Sequence, residues 1–355
     1  MPKISVIIPI YESEKYIKKC IDSIINQKFS DIEVVCVNDC SPDNCLTILR
    51  EYQKNDDRIK IINLEKNGGR GNARNIGMKN ATGDYIMFID GDDWFAEDAF
   101  EKAYNQITKN NNDVVFYNIY NYYEEDGSIS YNDQKYYVLL EQKNQSSINL
   151  AELSRPFNLH GACWNKIYNA QFLKNCNAYF FDNHDFEDHI FYMIIMCNAK
   201  SISVINEPLY YYRIRGGSAV HSSGYLRECP IAWNIVLDEI PDNTSEIQKD
   251  CIYIKAVCAN LHWFKKFSKI NPSNRESYFY DMQKLFNKFD TATINRIKKY
   301  IDYREFNIVR KSKTLKEYDF KYKLDKLFKI ERKRKYTRYY FFGLTFKINN
   351  KTYDK

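Results

Sequence analysis

Over the first 120 positions the apolar residues follow two rhythms. Short apolar runs at Ile4 to Pro9, Ile32 to Val37, Ile59 to Leu64, Asp84 to Asp90 and Asp113 to Tyr117 read as strands. Between them lie segments with apolar residues at three- and four-residue steps. In Tyr16 to Gln27 these are Ile17, Cys20, Ile21 and Ile24, which share one helical face. Ser41-Pro42 marks the start of a second helix that runs to about Lys54, because proline suits the first helical position. Gly68-Gly69 precedes a third helix over Asn72 to Ala81, and a fourth spans Glu97 to Lys109. This alternation predicts an α/β fold: a mostly parallel sheet flanked by helices.

Beyond position 117 the rhythm weakens. Asn118 to Ser147 is polar and tyrosine-rich, and reads as a loop or hairpin over the sheet. Cys163 to Leu173 and Glu187 to Cys197 carry helical spacing, whereas Ser201 to Ile205 and Leu209 to Arg213 read as strands. From about Arg227 the pattern is helical, as in Ala256 to Phe267. The expected organisation is an α/β domain over 1–226, a helical C-terminal region over 227–320 and a basic, aromatic tail over 321–355.

Composition changes this picture in two places. Residues 321–355 hold 12 Lys/Arg against three acids, so the formal +6 of the chain becomes −3 over residues 1–320. The ten cysteines form no Cys-x-x-Cys pair and several sit in apolar runs, which suits free thiols in a reducing compartment. Five scattered histidines argue against a zinc site. Only a short apolar run follows Lys3 before Pro9, and no run reaches the ~20 apolar residues of a spanning helix. The expectation is a cytoplasmic protein, peripheral on the inner face of the plasma membrane if the tail binds lipid.

The chemistry gathers where strands end. Ile86 to Trp94 reads Ile-Met-Phe-Ile-Asp-Gly-Asp-Asp-Trp, an apolar strand closing on three carboxylates. Asp90 and Asp92 alternate with Gly91 and can face one way. Two such carboxylates repel unless a cation joins them, and oxygen ligands suit Mg2+ or Mn2+ bridging to phosphate. The alternative is a polar turn. Asp39, at the end of the second strand, either accepts hydrogen bonds from a base or ribose or caps the next helix with Ser41. Asn67 to Asn75 packs three glycines with Arg70 and Arg74 just before a helix, a turn suited to a diphosphate. Asp182 to His189 precedes an apolar helix; its acids either cap that helix or include a base for an attacking hydroxyl. Tyr210 to His221 is a strand followed by a basic, glycine-containing loop able to close over phosphates. His221 is there either a third metal ligand or a solvated side chain.

Six segments occur in one order: Ile7 to Tyr11, Val37 to Asp43, Asn67 to Gly69 with Ala73 to Asn75, Gly83 to Ile86, Asp90 to Asp93, and Phe186 to Asp188. Together they resemble the family 2 inverting glycosyltransferases of GT-A fold, of the bacterial surface-polysaccharide type, over roughly Met1 to Ser222. The resemblance implies transfer of a sugar from a nucleotide-sugar, usually a UDP-sugar, with Mn2+ or Mg2+. It implies that Pro9, Tyr11 and Glu12 line the nucleoside pocket, that Asp39 binds uracil, and that Arg74 lies near the nucleotide. Asp90 and Gly91 would then stand on the ribose or sugar side, with Asp92 on the metal. It further implies Asp188 as catalytic base, with Glu187 beside it. Cys40 stands where the family usually has glycine, and Asn38 where an acid is common.

The acceptor expected from this resemblance is a glycan or lipid-linked oligosaccharide. Residues 321–342 mix cations with Leu324, Leu327, Phe328 and Ile330, and read either as a solvated helix face with a packing strand or as an interfacial segment for anionic lipid. No nucleic-acid module accompanies the charge, so nucleic acid is not an expected partner. The sequence sets no oligomeric state. Of two rivals, a sugar-nucleotide nucleotidyltransferase should open with a glycine- and arginine-containing loop where Pro9 to Ser13 stands. A non-catalytic sugar-binding protein would not need both the acid cluster at Asp90 to Asp93 and the Glu187-Asp188 pair.

Overall fold

Two strands, β1 (Ile4–Ile10) and β2 (Ile32–Asn38), are buried along their whole length. Their nearly continuous apolar runs, interrupted by buried Ser5 and Glu33, are those of strands buried on both faces. The computed structural model describes residues 2–132, 161–182, 187–216, 227–242, 244–270, 272–327, 330–332, 336–341 and 344–349. After β1 come α1 (Ile17–Ile25), then α2 (Cys45–Asn55) behind β2, β3 (Ile59–Asn63), α3 (Gly69–Asn80) and β4 (Tyr85–Phe88). There follow β5 (Trp94–Phe95), α4 (Ala99–Lys109), β6 (Val114–Tyr123), β7 (Ile129–Asn132), β8 (Lys166–Asn169), α5 (Ala170–Asn175), α6 (Glu187–Asn198) and β9 (Ile202–Ile214).

These strands form one sheet in the order β3-β2-β1-β4-β8-β6-β9-β5, with β7 on the side of β6. The pairs β1–β2, β1–β4, β2–β3 and β6–β9 are parallel; β8 runs antiparallel between β4 and β6. The carboxyl ends of β1, β2 and β4 therefore open on one edge, where ligands of open α/β sheets bind.

Three expectations are corrected. Cys163 to Leu173 is not one helix: Lys166–Asn169 fills the antiparallel slot between β4 and β6, and only Ala170–Asn175 is helical, with the Asn169 side chain accepting from Phe172 N at 2.9 Å. An unfilled slot between two strands outweighs helical spacing. The two strands expected at 201–213 are one. The Asn206-Glu207-Pro208 break is a bulge within β9, where the register against β6 slips around Asn118. Finally, α2 starts at Cys45 rather than at Ser41-Pro42, because Ser41 and Asp43 are drawn to the end of β1. Of Asn118 to Ser147, the first six residues extend β6, and a hairpin through Gly127 (φ +70°) leads to β7. Residues 133–147 lie outside the described ones.

The chain packs as two units, Met1–Ile252 and Tyr253–Lys355. The first also contains α7 (Cys229–Asp238), and the division falls inside α8 (Glu246–Ile270). The second unit adds α9 (Arg275–Asn287), α10 (Thr291–Ile297), α11 (Tyr303–Lys311), α12 (Leu315–Leu327) and an antiparallel sheet of β10 (Ile330–Arg332), β11 (Tyr336–Phe341) and β12 (Leu344–Asn349). Its core is aromatic, built on Phe264, Tyr278, Phe279 and Tyr318. Buried Glu305 takes hydrogen bonds from Lys265 Nζ (2.6 Å) and Tyr318 OH (3.1 Å). No described helix is long and apolar enough to cross a membrane.

Candidate active site

The cleft begins where β1 and β2 stop. Glu12 turns the chain at φ +48°, and its N–H donates to Ser41 Oγ (2.8 Å), while Glu14 N–H donates to Asp43 Oδ2 (2.9 Å). These bonds tie the end of β1 to the loop after β2. Cys40 within that loop has φ +54°, the region glycine adopts most freely. Asp39 is 2% exposed, and its two oxygens each accept a backbone N–H at 2.8 Å, from Gly68 and from Gly69 (φ +83°). The carboxylate thereby fixes the glycine turn that starts α3.

Beyond β4, the Asp90–Asp93 turn sends its acids to different partners. Asp93 is buried; Tyr210 O–H donates to its Oδ2 and Arg213 N–H to its Oδ1, both at 2.7 Å, which fastens the turn to β9. Asp92 Oδ2 accepts from Arg215 Nη2 (2.9 Å) and Nε (3.1 Å). Asp90 Oδ1 accepts from Arg74 Nη2 at 2.6 Å. Arg74, 2% exposed, gives its other arm to Glu187 Oε1 (2.7 Å) and lies 5.2 Å from the Phe180 ring centre. One buried guanidinium thus joins the strand-end turn to the start of α6. Gly71 allows that approach, since a Cβ there would stand 2.5 Å from Phe181 O.

These pieces enclose a cleft of about 240 Å³ lined by Pro9, Ile10, Tyr11, Ser13, Asp39, Arg70, Ala73, Asp90, Gly91, Asp92 and Arg215. It offers one exposed ring (Tyr11), two arginines and three carboxylates.

The profile described as Glycosyl transferase family 2 matches residues 5–171, which hold most of this cleft. The glycosyltransferase GlyG of Streptococcus pneumoniae is 30% identical over 262 residues, covering 70% of this chain and 80% of that protein. The chain belongs to glycosyl transferase family 2. The pneumococcal glycosyltransferase GlyA is 35% identical over 221 residues, 61% of this chain but 31% of GlyA. The poly(ribitol-phosphate) beta-N-acetylglucosaminyltransferase TarS of Staphylococcus aureus is 31% identical over 230 residues, 64% of this chain and 38% of TarS. The chain therefore spans about a third of the length of each of those two relatives. Among solved structures, residues 1–349 of TarS in complex with UDP-GlcNAc superpose with a TM-score of 0.75 at 22% identity, covering 96% of this chain and 97% of that one. The mannosyltransferase PcManGT of Pyrobaculum calidifontis, in complex with GDP-Man and Mn2+, gives 0.55 at 13% identity, over 91% and 86%. These superpositions support the GT-A-like fold.

Within this family member, the residues expected at the site fall into layers. Pro9, Tyr11, Asp39, Asp90, Gly91 and Asp92 line the cleft. Glu12, Arg74, Glu187 and Asp188 do not: Glu12 shapes the turn, and Arg74 and Glu187 are buried as a pair. His221 lies outside the described residues. Arg70 and Arg215 line the cleft although sequence reading gave neither a separate role; the signal was there, in the glycine turn and the loop after β9.

Electrostatics separates the acids further. Burial, then the Asp90 charge, raises the Asp92 pKa above the ordinary carboxylate value, and Arg215 opposes them. Burial raises Asp93 much further, with Asp92 and Asp90 adding to it. Asp188 goes the other way. Burial alone would raise it, but His189 Nδ1 at 3.0 Å from Oδ1, with Arg74 and Arg70 nearby, brings it down to about 2.

A divalent cation suits this turn. Asp90 and Asp92 each have one oxygen engaged by arginine, and the other has no side-chain partner among the described residues. No set of three His, Cys, Asp or Glu groups suited to a metal occurs among the described residues. Such a donor set fits a hard ion that draws further ligands from substrate phosphates and water.

Proposed function

We propose that this chain transfers a sugar, with inversion, from a UDP-sugar to a hydroxyl of a bacterial cell-surface polymer or lipid-linked glycan, on the cytoplasmic side. The observation that carries the reading is the cleft at the ends of β1, β2 and β4, where an exposed ring, two arginines and a carboxylate pair converge. The Tyr11 ring is available to stack on a base, and Asp39 stands beside it with lone pairs beyond those its backbone partners use. Arg70 and Arg215 supply directed positive charge for a diphosphate. Asp92 and Asp90 would hold Mn2+ or Mg2+, and PcManGT, of similar fold, is a complex with GDP-Man and Mn2+. Bound there, the ion would offset negative charge on the departing UDP.

Asp188 is the proposed base. With a pKa of about 2 it is ionised at neutral pH, and His189 holds its carboxylate. So acidic a group is a weak base toward a free alcohol. It takes the proton only as the acceptor oxygen bonds to the anomeric carbon and the carbon–phosphate-oxygen bond breaks. Glu187 is assigned a positioning role through Arg74. TarS, named for poly(ribitol-phosphate), suggests a phosphate-containing polymer as acceptor class. The basic 321–342 stretch would attract anionic lipid as readily as an anionic acceptor.

The test is UDP release from a panel of UDP-sugars, with and without Mn2+ or Mg2+. Turnover of one donor that stops on chelation is expected. Release from none, with UDP binding absent as well, would sink the reading.

A further inference from the structure

The two units differ in charge far more than the chain average suggests. Residues 1–252 carry 25 Lys/Arg against 36 acids, net −11, whereas residues 253–355 carry 27 against 10, net +17. Nor is the excess confined to the tail: residues 253–320 alone hold 15 against seven. Four acids of this unit, Glu305, Asp319, Asp325 and Glu317, are engaged by Lys265, Arg275, Arg304 and Lys321. Exposed Lys284, Lys299, Lys311, Lys316 and Lys323 face no carboxylate at ion-pair distance among the described residues. A self-repelling surface of this kind is held only at a cost in stability, and it draws polyanions.

Exposed rings sit among these amines. Tyr280 is one helical turn from Lys284 on α9. Lys299 Nζ lies 4.8 Å from the Tyr300 ring centre. On α12, Phe320, 64% exposed, shares a stripe with Lys316, Lys323 and Leu324, while Tyr318 on the opposite side is buried. A ring presents an apolar face to the C–H groups of a sugar or polyol, and an amine beside it meets a phosphate. An interfacial helix instead shows a continuous apolar face; here single rings alternate with lysines on α9, on α12 and in the turn after α10.

We propose that the exposed lysines and rings of α9 to α12 form a docking surface for an anionic, phosphodiester-linked sugar or polyol polymer, which carries the acceptor hydroxyl. The acceptor role rests on the transferase reading above; the binding itself does not. Short-range screening, ~8 Å at physiological salt, means a chain must lie along the surface to feel these charges.

The test titrates the full chain with three probes: a poly(ribitol phosphate), neutral dextran of similar length, and phosphatidylglycerol vesicles. The polymer is expected to bind, dextran not, and polymer affinity to fall about tenfold or more between ~50 and ~200 mM salt through counterion release. The quadruple variant Lys284→Glu, Lys299→Glu, Lys316→Glu, Lys323→Glu should bind polymer at least about tenfold more weakly. Tyr280→Ala with Phe320→Ala should lose about threefold with the salt slope kept, separating ring contact from charge. UDP-sugar hydrolysis should stay within about twofold in both variants, since no altered residue lies in the cleft. Equal binding of dextran, tighter binding of vesicles than of polymer, or unchanged binding by the quadruple variant overturns the proposal. Absence of hydrolysis in the parent chain would remove the transferase reading and leave the binding result standing.

Discussion

Two acid clusters, linked through Arg74, behave in opposite ways. In the Asp90–Asp93 turn, three carboxylates crowd together, and burial with mutual repulsion raises Asp92 and Asp93. At the start of α6, burial alone would raise Asp188, yet it falls to about 2 because His189, Arg74 and Arg70 stand near it. Identical side chains thus acquire different chemistry from their partners. In that turn Asp90 and Asp92 each keep an oxygen that no side chain engages among the described residues, as a cation site should. The lowered residue has its positive partners built in and stays ionised. Arg74 belongs to both, through Asp90 on one side and Glu187 on the other.

That contrast can be broken most sharply at Asp188. Asp188→Asn should cut transfer about 10³-fold while UDP affinity, by calorimetry, changes less than about twofold. Comparable turnover by this variant removes Asp188 from the base role. Next in size is Arg74→Met, which leaves Asp90 and buried Glu187 without their shared partner; a loss of about 3–5 kcal/mol in urea unfolding is expected. Asp92→Ala should weaken UDP binding about tenfold in the presence of Mn2+ and make affinity indifferent to the metal, since the remaining carboxylate is already held by Arg74.

The pH dependences of the two clusters should also separate. Burial and the Asp90 charge raise the Asp92 pKa, so metal-dependent UDP binding should weaken at a higher pH than an ordinary aspartate would allow. Asp188 has a depressed pKa, so its contribution to stability is fully present above the unfolded value near 3.8 and is lost as pH falls toward about 2. Binding should therefore fail at a higher pH than folding does; a single coincident transition would remove the contrast. The smallest effect is expected at Cys40, where φ is +54°. Cys40→Gly relieves left-handed strain at the cost of chain entropy, and a net gain of up to about 1 kcal/mol in thermal unfolding is expected.

Much of this was legible along the chain. Strands β1 to β4 and β6 followed from apolar spacing, whereas the two-residue β5 (Trp94–Phe95) did not; the strand-end position of Asp39 and Asp90 to Asp93 followed with them. Cys40 was visible as an odd residue at a glycine position, and its positive φ supplies the reason. Other features were not legible because they depend on pairs far apart in sequence. Arg74 was expected near the nucleotide; what the sequence did not show is its burial behind cleft residue Asp90, with Glu187, 113 positions away, completing its ion pairs. Asp93 looked like a third member of the acid motif, whereas Tyr210 and Arg213 draw it inward to anchor β9. The helical spacing of Cys163 to Leu173 was genuine but lost to a vacant strand position in the sheet.

Local pattern was enough to determine the α/β class, the order of elements and the ends at which chemistry collects, because side-chain periodicity and turn residues act over a few positions. It also determined the family, since six short motifs in order are a property of the chain itself. Only the folded arrangement decided which acid is held low, which is raised and which merely fastens a strand. Those outcomes depend on Arg74 reaching Asp90 at 2.6 Å and Glu187 at 2.7 Å, residues that the fold rather than sequence proximity brings together; only His189, the chain neighbour of Asp188, was placed by the sequence.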